Sequence, residues 1–516
     1  MATTSRSADL TSGPMLQKII LFSVPLAASS ILQLLFNAAD VVVVGRFAGS
    51  TALAAVGSNG ALINLLVNLF VGLSLGANVV AARCFGARDE KGVQDTVHTA
   101  VALGLVSGVL LAVVGFCAAR GLLELMSCPE DVISLSTLYL KIYFIGMPMT
   151  MLYNFSSALL RAMGDTKRPL YCLAAAGVIN VVLNLVFVIG FSMSVAGVAL
   201  ATIISQTVSA LLVTRMLVRE KGALRLDLRR LAFHAGTLKQ ILLIGLPAGL
   251  QSTVFSLSNV VIQSSINSFG SMVVAGNSAS SNLEGFVYTA MNAFAQAAVT
   301  FTSQNIGARK YHNLDRVIRN CLLCVVVTGL VLGGGAALAG HQLLRFYSSD
   351  TAVIATGAER LRLICGFYLL CGIMDVLASS LRGLGYSVLP MVVSLVGVCV
   401  LRLVWLFTVV PAHHTIEAVE LPEKDLRVYG AGFPARFCPA LLEGFAAKDD
   451  GRTNLMVVHG NPTQPSSPYN PILPAQIAQS GLSYLALGHI HQASGLLTAG
   501  GTAYAWPGCA MGRGFD

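Results

Sequence analysis

Between Leu16 and Pro411, apolar stretches of about 20 residues or more follow one another with short polar breaks, and each is long enough to cross a hydrocarbon layer about 30 Å thick. A backbone inside hydrocarbon has to satisfy its own N–H and C=O groups, so segments of this length read as transmembrane helices. Eleven are expected, near residues 16–44, 52–82, 94–119, 133–160, 169–192, 194–217, 240–267, 272–303, 318–343, 352–381 and 388–411. Only 11% of the 516 residues are charged and 55% are hydrophobic, against roughly 25% charged in a soluble domain. A soluble core is therefore excluded for this region. The first run is about twice the length of a signal-peptide apolar region and further spans follow it directly, so it counts as span one.

The net charge of +9 does not read as a nucleic-acid surface, because the basic residues alternate with the spans. About twenty Lys and Arg, including Lys18, Arg83, Arg88, Arg161, Arg168, the run from Arg215 to Lys239, Arg309 and Arg382, fall in one set of loops, and about three, Arg46, Arg120 and Arg345, in the other. The positive-inside rule then predicts a multi-pass protein of the inner (plasma) membrane with a cytoplasmic N-terminus. The eleven cysteines form no disulfide framework. Cys321 and Cys324, a lone CxxC at the start of a span, read as small core residues rather than a redox or zinc site.

One unit occurs twice. Phe85-Gly86-Ala87-Arg88 returns as Ile306-Gly307-Ala308-Arg309, and Leu160-Arg161, Gly164 and Pro169 return as Leu381-Arg382, Gly385 and Pro390, each 221 residues on. Pro25 and Pro247 lie 222 apart in the first span of each half. Six spans per repeat is an even number, so both halves enter the bilayer from the same side, and such parallel repeats place a substrate cavity between two rocking bundles. The expected layout is an N-terminal segment at 1–15, a first lobe of six spans at 16–217, a basic linker at 218–239, and a second lobe of five spans at 240–417 that lacks its sixth. A different, polar stretch rich in Pro and Gly fills 420–516 and holds no run long enough to span. The fold class is thus an all-α polytopic membrane protein of two helical bundles, about eleven of twelve spans, with a partial α/β tail.

Asp40 stands in span one within Asn37-Ala38-Ala39-Asp40-Val41-Val42-Val43, with no basic residue near it in sequence. A carboxylate at depth costs a few kcal/mol on insertion scales and usually marks a cavity or an ion pathway; a structural role near the interface is the alternative. Glu284 and Asp375 are further intramembrane carboxylates, each a candidate cation ligand or a structural hydrogen-bonding group. Asn180 and Asn184 share one helix face and either hydrogen-bond Asp40 or act as polar glue between helices. Arg402, inside the last span, reads as structural.

With these residues in place, residues 15 to about 417 resemble the multidrug and toxic compound extrusion (MATE) family. The matching features are Asp40, the Gly86-Ala87-Arg88 loop and its copy at Gly307, Leu160-Arg161-Ala162-Met163-Gly164-Asp165, and Val195-Ala196-Gly197-Val198-Ala199-Leu200-Ala201-Thr202. The resemblance implies export of amphipathic, often cationic compounds in exchange for protons or sodium, with Asp40, Asn180 and Asn184 as the polar cluster of the first lobe and Glu284 and Asp375 near second-lobe cation ligands. Many members of the family carry an acid where Asn184 stands, which leaves the coupling ion open. Lipid-linked saccharide flippases share the architecture, so fold does not settle the substrate. Beyond the lipid bilayer and the transported compounds, no partner, nucleic acid or cofactor other than the coupling ion is expected, and the chain is expected to act as a monomer.

In the tail, Leu455-Met456-Val457-Val458 and Tyr484-Leu485-Ala486-Leu487 read as buried strands, ending in His459-Gly460 and in Gly488-His489-Ile490-His491. Imidazoles at the ends of adjacent strands can converge on a divalent metal. With Val428-Tyr429-Gly430 and Arg513-Gly514-Phe515-Asp516, the tail resembles the later part of a calcineurin-like metallophosphoesterase of the DNA repair exonuclease branch. That resemblance implies that His459, His489 and His491 are remnants of a metal site. The family's Asp-x-His, Gly-Asp and Gly-Asn-His-Asp motifs are missing from the tail, and a two-metal mechanism needs both metals, so no enzyme activity is expected; a membrane-tethered metal-dependent phosphoesterase or DNA repair exonuclease is the alternative reading of the chain. A junction of two truncated proteins is expected between about Thr415 and Pro422.

Overall fold

The computed structural model describes residues 9–125, 130–267, 271–345, 347, 350–408, 416–431, 440–462, 464, 470–488 and 494–506. The chain divides into two compact units, Met1–Val261 with Met272–Val400, and Ile262–Ser271 with Leu401–Asp516.

The first unit is helical. Its elements in chain order are α1 (Met15–Phe47), α2 (Ser50–Gly86), α3 (Glu90–Leu125), α4 (Glu130–Ile145), α5 (Met147–Ala162), α6 (Lys167–Asn184) and α7 (Ser194–Arg219). After them come α8 (Ala235–Asn267), whose residues from Ile262 on fall in the second unit as Ser271 does, α9 (Ser271–Gly307), α10 (Leu314–Thr328), the short α11 (Gly334–Leu338) and α12 (Gly340–Leu344), α13 (Thr351–Leu384) and α14 (Val388–Ser394). Among the described residues, eight helices are long and apolar enough to cross a membrane, or nine with the bent pair α4 and α5 taken as one span. The two remaining expected spans fall on α9, which is 37 residues long but opens on a Ser- and Asn-rich stretch, and on the shorter apolar helix Val388–Val404. Large apolar side chains such as Val178 (62% exposed) and Phe367 (69%) face outward, as lipid requires and water would penalise.

Two expected spans are interrupted. The span expected over 133–160 bends by 49° between α4 and α5. Pro148 in the first turn of α5 explains the break, since proline lacks an N–H and fits a helix start. The span expected over 318–343 breaks at Ala339, between α11 and α12, in a glycine-rich stretch with low helix propensity. The 218–239 linker is tied down: Leu224 and Leu226 are buried in the first-lobe core, and the backbone N–H of Asp227 donates to His98 Nε2 at 3.2 Å. Cys321 and Cys324 are both buried on α10.

Repeat-related positions adopt the same backbone. Gly164 and Gly385 close α5 and α13 at φ of 83° and 98°, and Arg88 and Arg309 are left-handed at 57° and 56°. The two lobes approach closely along α2 and α8: a Cβ on Gly72 would lie 2.3 Å from Gly249 Cα, and one on Gly245 2.7 Å from Leu73 Cα. At the basic end, a Cβ on Gly86 would meet Gln304 O at 2.0 Å, and one on Gly307 would meet Arg83 O at 1.9 Å. Small residues permit this contact, which in lipid has to come from van der Waals packing and polar bonds rather than from the hydrophobic effect. The polar bonds include Thr300 Oγ1 donating to Asn78 Oδ1 (3.1 Å) and Gln304 Nε2 to Ala162 O (2.6 Å).

The first helix departs from the expected lobe division. Leu10, Met15, Ile19, Phe22 and Leu26 share a core with second-lobe residues such as Met291 and Phe301, and Phe22 meets Phe301 edge-on at 5.5 Å. Beyond Pro25, Val43 and Val44 pack with Tyr139, Val188 and Val198 of the first lobe. α1 therefore serves both lobes, one on each side of its proline.

The second unit holds α15 (Leu401–Thr408), α16 (Pro474–Gln479) and six strands: β1 (Glu417–Leu421), β2 (Leu426–Ala431), β3 (Thr453–His459), β4 (Tyr484–Gly488), β5 (Leu497–Ala499) and β6 (Thr502–Ala505). They form one sheet in the order β1-β2-β3-β4-β6-β5, parallel from β2 through β6 and antiparallel at both edges. Met456, Leu485 and Leu487 are buried, so the apolar runs read as buried strands are strands. Arg427, paired with Glu420 across β1 and β2, is almost wholly buried and also contacts Asp450 Oδ2 at 2.5 Å, so its charge is answered twice. The 222-residue offset puts the counterpart of α7 (Ser194–Arg219) at about 416–441, where β1 and β2 stand instead. No apolar helix occupies that place among the described residues.

Candidate functional site

Asp40 is buried at 8% exposure on the half of α1 that packs against α6 and α7. Asn184 Nδ2 donates to Asp40 Oδ1 and also faces Asn180 Oδ1 at 3.2 Å. Thr202 Oγ1, one turn beyond Val198 on α7, lies 3.5 Å from Asp40 Oδ2. These partners are neutral, and among the described residues no guanidinium or ammonium pairs with the carboxylate. Asn184 Oδ1 is buried without a hydrogen-bond partner among the described residues, which leaves an acceptor oxygen beside the carboxylate. Tyr139 and Tyr143, stacked at 6.1 Å, lie within electrostatic reach of Asp40. A cavity of about 40 Å³ borders Asp40, Asn180 and Thr202, room for a water or a small cation. Sequence reading brought Asp40, Asn180 and Asn184 forward; it quoted Thr202 only as part of a motif and missed the tyrosines, which carry no signal in an apolar span.

The second-lobe carboxylates have different surroundings. Glu284 on α9 faces Arg360 on α13, with Nη1 to Oε1 at 2.9 Å and Nη2 to Oε2 at 3.2 Å. A carboxylate so paired has its charge answered by protein. Asp375 is half-buried, hydrogen-bonded to Tyr288 and close to Arg382. Neither joins Asp40. Arg360 was not singled out from sequence, because its partner comes from another helix with no fixed spacing.

Between the lobes lies a cavity of about 350 Å³, bordered by Gln33, Asn78, Arg161, Gln296, Thr300 and Arg382 among others. Gln33 also borders the cavity beside Asp40, so one side chain separates the two spaces. The repeat-related Arg161 and Arg382, expected in loops, end α5 and α13 and turn toward this cavity.

In the tail, His459 ends β3 and is exposed. It pairs in register with Gly488 on β4, and a Cβ on that glycine would lie 2.6 Å from His459 Nδ1. His489 and His491 fall outside the described residues. Among the described residues no group of three or more His, Cys, Asp or Glu is placed to hold a metal ion.

Comparison with known proteins bears on the helical part. The profile of the MatE family matches twice, at residues 25–186 and 247–408, each match beginning on one of the repeat prolines. The chain is 29% identical over 431 residues to "Probable multidrug resistance protein YoeA" of Bacillus subtilis, covering 82% of this chain and 91% of that protein. It is 30% identical over 397 residues to "Probable multidrug resistance protein YpnP" of the same organism, covering 77% and 89%. Among solved structures, an outward-facing multidrug resistance MATE family transporter of the MOP superfamily superposes with a TM-score of 0.73 at 22% identity, over 78% of this chain and 90% of that one. A MATE structure in a bent conformation gives 0.72 at 23%, over 78% and 91%. The doubled family match, on helices that repeat at the same offset, makes this chain a multi-pass integral membrane protein that belongs to the MATE family of transporters.

Proposed function

We propose that the chain is a secondary active exporter of small amphipathic compounds, driven by protons or sodium, working by alternating access in the inner membrane with its basic end in the cytoplasm. The observation that carries the reading is Asp40, buried among neutral donors and one side chain from the inter-lobe cavity. An ionised Asp40 accepts hydrogen bonds from Asn184 and Thr202. A proton or a sodium ion on the carboxylate competes with those donors, and the free Asn184 Oδ1 supplies a further oxygen of the type hard cations take. Because α1 packs on both lobes, a change at Asp40 is transmitted along a helix that reaches the second lobe. The close contact at the basic end corresponds to an outward-facing state. The multidrug resistance named for the relatives supports the substrate size class. Glu284, held by Arg360, serves in this account as structure, and Asp375 as a second ionisable group near the cavity. The test is dye efflux from cells expressing the chain: Asp40→Asn is expected to abolish coupled efflux with expression intact. Unchanged dye export at matched protein level would remove Asp40 from the mechanism.

For the tail, the parallel strands β2-β3-β4-β6 with His459 against Gly488 support a partial metallophosphoesterase-like fragment. The purified chain is expected to show no hydrolysis of bis(p-nitrophenyl) phosphate with Mn²⁺; metal-dependent turnover would restore the phosphoesterase reading.

A further inference from the structure

The central cavity carries charge of one sign. Arg161 and Arg382 border it, and among the described residues no Asp or Glu does. Arg168, at the start of α6, has its charge answered by Asp165 and by Glu220 at 2.6 Å. Arg161 has no such partner; its guanidinium makes no hydrogen bond or ion pair among the described residues, and the Tyr153 hydroxyl is its electrostatic neighbour. Arg382 donates to the neutral Gln251 Oε1 at 2.7 Å, while its Nε is buried without a hydrogen-bond partner among the described residues. Asp375 is close to Arg382 but does not border the cavity, and one carboxylate does not answer two guanidinium groups.

We propose that this cavity binds the anionic group of an amphipathic substrate, a carboxylate, sulfonate or phosphate monoester, between Arg161 and Arg382. The repeat accounts for the placement. The two arginines are 221 residues apart in sequence, each at the C-terminal end of the fourth span of its lobe, so the two lobes present one each to the space between them. A guanidinium offers several N–H donors in a fixed plane, a geometry that matches the oxygens of such anions. Asn78, Gln296 and Thr300 add neutral polar groups, and Val71, Leu75 and Val299 give an apolar wall for the rest of the molecule. About 350 Å³ lies at the small end of ligand cavities, which fits one headgroup and a short apolar body. A cationic substrate would meet two like charges, with no lining carboxylate among the described residues to receive it. The cationic compounds implied by family resemblance are thus a poorer match to this cavity than anionic ones. The inference deepens the exporter reading and rests on it only for the direction of travel.

The experiment uses the purified full chain in lipid nanodiscs of uncharged phosphatidylcholine and a matched pair of dansyl amphiphiles of equal chain length, one ending in a carboxylate and one in a trimethylammonium. The carboxylate probe is expected to bind at least tenfold more tightly. Arg161→Gln and Arg382→Gln are each expected to weaken it by about tenfold or more, the usual scale for a lost charge-assisted hydrogen bond, with Arg161→Lys and Arg382→Lys recovering part of the affinity. The Lys variants separate loss of the site from loss of the fold. Displacement by dihexanoyl phosphatidic acid but not by inorganic phosphate would identify a lipid-like source of the anion, and displacement by inorganic phosphate a free one; both support the site. Equal or tighter binding of the trimethylammonium probe, no binding of either probe, or carboxylate affinity unchanged in the monodisperse Arg161→Gln/Arg382→Gln double variant would overturn it. Binding is read with no ion gradient across the nanodisc, so a failure of coupling at Asp40 and a failure of the anion site give different results.

Discussion

The chemistry of this protein turns on how each carboxylate within the helices is partnered. Asp40 has neutral donors, Glu284 has Arg360, and Asp375 has Tyr288 with Arg382 nearby. Removing one member of a largely buried ion pair leaves an uncompensated charge, so Arg360→Ala is expected to destabilise the protein by on the order of 3 kcal/mol. The joint change Glu284→Gln with Arg360→Met should cost far less. Thermal unfolding followed by size-exclusion chromatography checks this, and equal losses in the single and joint variants would show that the pair is not what holds α9 to α13. The sequence made Asp40 legible because a lone acid in an apolar run stands out, and Asn180 and Asn184 because four-residue spacing puts them on one face. Which residue answers Glu284 was not legible, since Arg360 meets it only through the packing of two helices.

Helices here are shaped by glycine and proline. Pro25 and Pro247 were visible as repeat markers, but the sequence did not show that α1 divides its packing between lobes at Pro25, nor that Gly146 and Pro148 break the fourth span. Both depend on which neighbour a helix face meets. The α2 and α8 seam yields a prediction: Gly72→Val or Gly245→Val adds atoms where backbone already lies within 3 Å, so contact at the basic end should be lost. Spin labels at Arg88 and Arg309 should then move apart by several ångströms, and an unchanged distance would show that the seam tolerates bulk. The N-terminal segment crosses the same end, where Leu10 N–H donates to Gln304 Oε1 at 3.3 Å and Lys310 Nζ to Thr11 Oγ1 at 2.9 Å. Burial works to raise the Asp9 carboxyl, but hydrogen bonds from Ser12 and Thr11 and the Lys18 charge outweigh it and hold the group at about 2. Its folded value lies below the ordinary carboxyl value of 3.8, so its contribution is complete above that pH and is lost only as pH falls toward 2. Protease protection of this segment should therefore be flat between pH 5 and 8, and a step in that range would assign the docking to another group.

Across the whole chain, the repeat offset puts the sequence counterpart of α7 at about 416–441, where strands β1 and β2 stand, and we read the second lobe as lacking its sixth helix. The six-stranded sheet of the tail was readable in sequence only as strings of apolar residues, because its register is set by strand pairing. A bundle short of a helix exposes polar helix faces to lipid, so the chain is expected to export poorly. Replacing residues 418–516 by a twelfth apolar span from a close relative should restore efflux, whereas equal, robust efflux from both versions would show that the missing helix is dispensable. The most direct measurement is transport of the dansyl carboxylate probe in proteoliposomes by the repaired chain and its Asp40→Asn variant, with an imposed pH or sodium gradient. The account predicts that one of the two gradients accelerates transport and that Asp40→Asn removes the acceleration. Transport that ignores both gradients, or that Asp40→Asn leaves equally gradient-driven, would contradict it.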